Sequence, residues 1–304
     1  MPPNGRDLLL CFDAFGTLFA PSIPIPIAYA RAAAHHGIRI GNTQDVGTSF
    51  KLAFKQESQR NPNYGKSSGL GSEKWWANII HATFTPFLRK DQPFPHALTT
   101  ELLDIYSSSR GYTLFPDVTP FFSTLRALKQ QRIRETDDWP WHNTVVGIVT
   151  NSDDRVPGIL ESLGLSIGPR RVGTKDNRDK EASSHDDISF VVLSYDVGVE
   201  KPHSGMFRAA EDMLGEMVDA GLEEFEKLYV GDEVEKDYFG ARDAGWGALL
   251  LSRTPEAPSN QGITRVHVKG KDGETSIVDT ISSLSDIASW RPSRPRPPTA
   301  LSPL

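Results

Sequence analysis

The chain has 304 residues, 38% hydrophobic and 24% charged, with a formal charge of −6, an ordinary globular composition with room for one to three domains. That acidic balance, without a dense basic patch, argues against a nucleic-acid partner, and no stretch approaches the roughly 20 apolar residues of a membrane span. Cys11 is the sole cysteine, which excludes an intrachain disulfide. The apolar run after Arg6 and Asp7 is too short for a signal peptide. A cytoplasmic protein is expected, with the nucleus left open; oligomeric state is not legible.

Leu8 to Phe12 is a short apolar run closed by Asp13 and turned by Gly16-Thr17. This is the pattern of a buried strand in a parallel sheet with a carboxylate at its carboxyl end, where open α/β sheets place ligands. Cys11 reads as a small core residue within it. Pro21, Pro24 and Pro26 read as a linker without helix. Helices are expected over 27–37 (rich in Ala, stopped by Gly37), over 43–60, over 72–84 with Ser72 as N-cap, and over 97–109. Asn61 to Gly65 reads as a loop, and Trp75 and Trp76, recurring with Ile79, Ile80 and Phe84 at helical spacing, as packing residues. Positions 21 to 112 thus form a helical insert with no strand pattern of any strength.

Strand and helix alternation resumes at Leu114 to Val118, with an amphipathic helix over Pro120 to Gln131 and a polar stretch over Glu135 to Asn143. Val145 to Val149 is a strand ending in Thr150-Asn151-Ser152, followed by a helix to Gly164. The polar segment 166–187 reads as a mobile surface insertion. Phe190 to Ser194 is a strand leading to Lys201-Pro202, then come a helix over 204–214 and an acidic one over 222–225. Lys227 to Val230 is closed by Gly231-Asp232, and Ala248 to Ser252 is a further strand. Arg291 to Leu304, with five prolines and three arginines, is a tail. Repeated strand-then-helix units of this spacing imply right-handed crossovers and a doubly wound parallel α/β sheet.

Four polar stations stand behind apolar runs: Asp13, Thr150-Asn151, Lys201, and Asp232 with Asp237. Each alone has a plain structural reading, as a turn, an N-cap or a solvated lysine. Converging on one crevice, they suit attack by a carboxylate on an electrophile that carries negative charge. Asp13 is the candidate nucleophile, forming an aspartyl ester or phosphate. The Thr150 hydroxyl and the N–H groups after it would donate to phosphate oxygens, aided by the N-terminus of the following helix. Lys201 would neutralise charge. Asp13 and Asp232, with a backbone carbonyl, offer the oxygen shell that Mg²⁺ prefers.

The order Asp13 to Thr17, Thr150, Lys201, and Gly231-Asp232 through Asp237 resembles the four motifs of the haloacid dehalogenase-like hydrolase superfamily. The resemblance covers residues 6 to 255. Asn61 to Gly65 and Leu70 to Trp76 further resemble the cap of its domain-containing protein 3 group. This implies a Rossmann-like core over 6–20 and 113–290, a helical cap over 21–112, and Thr17, Thr150, Asn151 and Lys201 as substrate-binding groups. It also implies Mg²⁺ held by Asp13, the Phe15 carbonyl, Asp232 and Asp237, and a small, phosphorylated substrate. One position departs from the pattern. Superfamily phosphatases carry a second aspartate two residues after the nucleophile, as general acid and base; here it is Phe15. Such a group is commonly worth about 10²–10⁴ in rate, so weak or selective activity on alkyl esters is expected. Glu233, His35, His36 and Lys66 are the candidate substitutes. The Asp-Ala-Phe-Gly-Thr form also resembles metal-independent 2-haloacid dehalogenases, whose fourth motif is Ser-Ser-Asn-like rather than acidic. The remaining alternative is a binding protein that keeps the fold without the activity.

Overall fold

The computed structural model describes residues 7–131, 139–174, 186–218, 221–253, 262–270 and 273–292. Its centre is β1 (Asp7–Phe12), hydrogen-bonded in parallel to β4 (Thr144–Thr150) on one side and to β7 (Phe225–Gly231) on the other. Side chains alternate across a strand, so Leu8, Leu10 and Phe12 enter one hydrophobic layer while Leu9 and Cys11 enter the opposite one. Both layers are covered by protein, which is why the strand is apolar throughout rather than alternating.

Outward from β4 come β6 (Ile188–Leu193) and β5 (Ile167–Arg171); outward from β7 come β8 (Gly247–Leu251), β10 (Thr275–Ile281) and β9 (Thr264–Lys269). The eight strands are parallel except β9, which runs antiparallel to β10. Successive strands fall to one side of β1 and then to the other, making β1 the point where the order reverses. Crevices form at the carboxyl ends there. The doubly wound α/β expectation is met.

A second sheet pairs β2 (Phe19–Pro21) with β3 (Tyr112–Leu114), antiparallel. Between these two short strands lie α1 (Ile25–His35), α2 (Thr43–Arg60), α3 (Pro62–Gly65), α4 (Ser72–Phe84) and α5 (His96–Ile105). After β3 the chain enters α6 (Val118–Gln131) and later α7 (Val156–Ser162), α8 (Ser194–Val197), α9 (Ser204–Gly215) and α10 (Gly240–Asp243). Among the described residues no helix is long and apolar enough to cross a membrane.

Several local expectations are corrected. Pro26 lies inside α1 rather than in a linker, because the first helical turn has no use for the N–H that proline lacks. Asn61 to Gly65 keeps its loop character: Asn63 and Tyr64 hold left-handed φ of 47° and 59° that break the helical path. Ser72 is not a cap: Gly71 precedes the helix, and the Ser72 hydroxyl donates to Asp154 at 2.6 Å. The strand before α6 is 112–114, not 114–118, and it joins β2 instead of the large sheet. The acidic helix over 222–225 is a single 3₁₀ turn, Leu222–Glu224. Segment 166–187 contributes the edge strand β5, while 175–185 lies outside the described residues, as do 132–138 of the polar stretch and 293–304 of the tail.

Candidate active site

Asp13 follows β1 directly, and its N–H donates to the Val230 carbonyl of the neighbouring β7 at 2.9 Å. Gly16 then takes φ of 79°, a left-handed conformation open to glycine. A Cβ at that position would fall 2.4 Å from an Asp232 carboxylate oxygen, so the glycine lets two catalytic-end loops touch. Thr17, expected to contact substrate, is instead fully buried, its hydroxyl donating to Asp232 Oδ1 at 3.2 Å. Arg253, just past β8, clasps the same loop. It donates to the Thr17 carbonyl and to Asp117 Oδ1, both at 2.6 Å. Nothing in the sequence pattern flagged Arg253.

Lys201 is buried, and its ammonium has three partners: Asp13 Oδ1 at 2.9 Å, Asp237 Oδ1 at 2.7 Å and the Tyr229 hydroxyl at 2.6 Å. An ammonium has three N–H bonds, so the set is complete. Burial works against the charge, but the attraction of Asp13 and Asp237 more than offsets it and raises the lysine above its usual range. Tyr229 in turn donates through its hydroxyl to the Val149 carbonyl at 2.6 Å. It sits in mid-strand β7, where a tyrosine looks like core, and was missed for that reason. Asn151 fixes the lysine's backbone from β4: its Oδ1 accepts from Lys201 N at 2.6 Å and its Nδ2 donates to Lys201 O at 3.0 Å. The Asn151 amide, expected on substrate, is occupied as a strut. Asp237 is further held by the Glu233 N–H at 2.9 Å. Burial and the charge of Asp13 raise its carboxyl, although Lys201 opposes them.

Asp13, Asp232 and Asp237 bring carboxylate oxygens within 4.8 Å of one another. Asp232 opens toward the cavity, yet packing around its carboxyl, together with Asp13 and Asp237, pushes it up to about 6. Hard oxygen donors carrying surplus negative charge are what a small divalent cation requires. The residues therefore fit Mg²⁺: Asp13 and Asp232 would offer donors at the cavity, while Asp237 is buried beneath them on Lys201.

Asp13, Asp232 and Lys201 edge a cavity of about 590 Å³ between the sheet and the helical segment. Thr150 lines it, as does Phe15, whose ring meets Phe19 and Tyr112 edge-on at 5.4 and 5.6 Å. The helix expected to start after Thr150 begins only at Val156, so no helix N-terminus supports that station. Of the four candidate proton donors only Glu233 lines the cavity, and Lys236 holds it at 2.9 Å. His36 lies against Glu101 at 2.6 Å, His35 is 3.9 Å from the same carboxylate, and Lys66 donates to the Asp196 carbonyl at 2.7 Å.

The helical segment closes the cavity by reaching loops that follow β4 and β6. Trp76, read as packing, instead lines the cavity and donates to Asp153 Oδ2 at 2.7 Å. Asp153 is bound by both Arg155 Nε and Nη2 at 2.8 Å, and the guanidinium stacks 4.8 Å from the Trp76 ring. Asn63 donates to the Ser194 carbonyl at 2.7 Å and accepts from its hydroxyl at 3.1 Å.

A family model described as haloacid dehalogenase-like hydrolase matches residues 9–245, and the chain belongs to that family. Its resemblance within the family is to the haloacid dehalogenase-like hydrolase domain-containing protein 3 group. The Danio rerio protein of that name is 27% identical over 257 residues, covering 84% of this chain and 90% of its own. The Homo sapiens one is 26% identical over 243 residues, covering 80% and 81%. Among solved structures, a defluorinating L-2-haloacid dehalogenase superposes with a TM-score of 0.54 over 93% of this chain and 94% of its own, at 13% identity, a likeness of fold.

Proposed function

We propose that the protein is a Mg²⁺-dependent hydrolase of the phosphatase type, acting on a small phosphorylated molecule. In this reading residues 21–112 form a cap over a core made of 6–20 and 113–290. The supporting observation is the Asp13–Lys201–Asp237 array with Asp232 beside it, in a cavity closed by the helical segment. Asp13 attacks phosphorus and becomes an aspartyl phosphate as the bond from phosphorus to the leaving oxygen breaks and that oxygen departs with the electron pair. Lys201 holds the nucleophile in place and offsets charge on the phosphoryl group, while Thr150 donates to its oxygens. Asp13, Asp232 and the Phe15 carbonyl would hold Mg²⁺, which supplies charge neutralisation at the phosphoryl oxygens when bound. Water then cleaves the aspartyl phosphate. Phe15 has no proton to give or take, so esters that need a protonated leaving group turn over poorly.

The dehalogenase alternative requires an anionic substrate beside three clustered carboxylates without a metal ion, where the single charge of Lys201 is already shared by Asp13 and Asp237 and like-charge repulsion disfavours it. Purified protein assayed with acetyl phosphate and p-nitrophenyl phosphate separates the readings. Turnover is expected that needs Mg²⁺ and falls at least about a thousand-fold in Asp13→Asn. Halide release from a 2-haloacid in chelator, or no phosphate release under any metal condition, would overturn the proposal.

A further inference from the structure

We infer that the cavity selects an aryl phosphate monoester, its aromatic group bearing no charged substituent and seated among the rings that line the cavity with Asp13. This rests on the hydrolase reading above and deepens it. Two observations carry it, the chemistry of the walls and the pairing of their charges.

Rings come from both sides. Phe15 and Tyr112 stand at the core edge of the cavity, and Tyr29, Phe54, Tyr64 and Trp76 come from the helical segment. A cavity of about 590 Å³ is far larger than a phosphoryl group needs, and lies in the range that encloses ligands of several rings' size. Aromatic walls favour offset or edge-on partners of the same kind. The cations lining the cavity already have anionic partners. Lys201 is held by Asp13 and Asp237, Arg155 by Asp153 at 2.8 Å, and Lys236 by Glu233 at 2.9 Å. Among the described residues, a second phosphate or a carboxylate on the leaving group would thus meet no lining cation without an anionic partner, and a polyhydroxylated one would lose water to apolar walls.

The same choice answers the absence of an acid at Phe15. A phenolic oxygen ionises near 10, as tyrosine does, against 15.7 for water. It can therefore depart as the anion. In the first step the Asp13 carboxylate oxygen bonds to phosphorus, and the bond from phosphorus to the aryl oxygen breaks, its electron pair leaving as phenolate. In the second, water cleaves the aspartyl phosphate, restoring the carboxylate and giving inorganic phosphate. The proton lost by water reaches the phenolate through solvent, so the sum is aryl phosphate plus water to phenol plus phosphate.

The test compares 2-naphthyl phosphate with acetyl phosphate, whose leaving group is better but carries no ring. With Mg²⁺, kcat/KM is expected to be at least about tenfold higher for the naphthyl ester, because only ring contacts favour it. Phe54 is 39% exposed on α2, so Phe54→Ala is expected to fold, with a thermal midpoint near that of the parent as the check. It should cut the naphthyl-to-acetyl ratio about tenfold. Acetyl phosphate turned over as well as or better than the naphthyl ester, or an unchanged ratio in the variant, would overturn the aryl inference and leave the hydrolase reading standing. Turnover of neither substrate would overturn both.

Discussion

Lys201 shows how one buried charge sets the state of its neighbours. Its ammonium is shared by Asp13 and Asp237, and Asp232, the carboxylate outside that set, is the one pushed up to about 6 by its surroundings and by the other two. The linkage has a definite sign. The folded state holds a proton on Asp232 where the unfolded chain, titrating near 3.8, has lost it. Stability from this group is thus fully present below about 4 and is lost as pH rises through about 6. Asp237, also raised, acts in the same direction. In chelator, the thermal midpoint is expected to carry a falling component between those pH values, and Asp232→Asn should flatten it. A slope unchanged in the variant would show that the carboxyl titrates normally. On the proposed reading Mg²⁺ competes with that proton, so its stabilising effect grows as pH rises over the same interval.

The elements that meet over the cavity share one hydrophobic cluster and are joined by polar contacts besides. The turn of α3, the start of α4 and Trp76 all reach toward loops after β4 and β6. The centre of one such joint is Asp153, 1% exposed, which accepts from Trp76 of the helical segment and pairs with Arg155 of its own loop, 19% exposed. Burial resists ionising Asp153, but the guanidinium bonds outweigh that and hold its carboxyl below the usual range. Asp153→Asn keeps the shape and removes the charge, leaving Arg155 buried without its counterion. Breaking a buried pair in this way costs about 3 kcal/mol or more. The expected result is a lower midpoint in urea with little change in slope, together with altered tryptophan fluorescence, since Trp76 loses a charged acceptor. Undiminished stability would mean that the joint is open in solution. None of this was legible in the sequence. Thr150-Asn151-Ser152 reads as a cap before a helix; α7 starts only at Val156, and the partner that reaches Asp153 from afar, Trp76, arrives from a segment some eighty positions away.

At the scale of the molecule, the legible parts were those where one strand decides the matter locally. β1, β4, β6 and β7 are covered on both faces, so each appears as an apolar run; Asp13, Thr150 and Asp232 stand at or just past the ends of β1, β4 and β7, and Lys201 stands eight residues past β6. The edge escaped notice. β9 and β10 are partly exposed, with Val266 and Ile277 open to solvent, and their mixed sequences carry no core signal. Tyr229 and Arg253 were hidden because their roles depend on which strands adjoin, a property of the closed fold. The site's wholeness has a measurable consequence. It is assembled from the loop after β1, the ends of β4 and β7, the approach to α9 and the helical segment, so a ligand bridging them opposes unfolding of all at once. Beryllofluoride with Mg²⁺, mimicking a phosphoryl group on Asp13, should bind only the folded chain. At a hundredfold excess over its dissociation constant it adds about 2.7 kcal/mol, and in a chain of this size that raises the thermal midpoint by several degrees. Asp13→Asn, which offers no anionic oxygen to beryllium, should show no shift. An equal shift in the variant would place the anion elsewhere and remove Asp13 from the role of nucleophile.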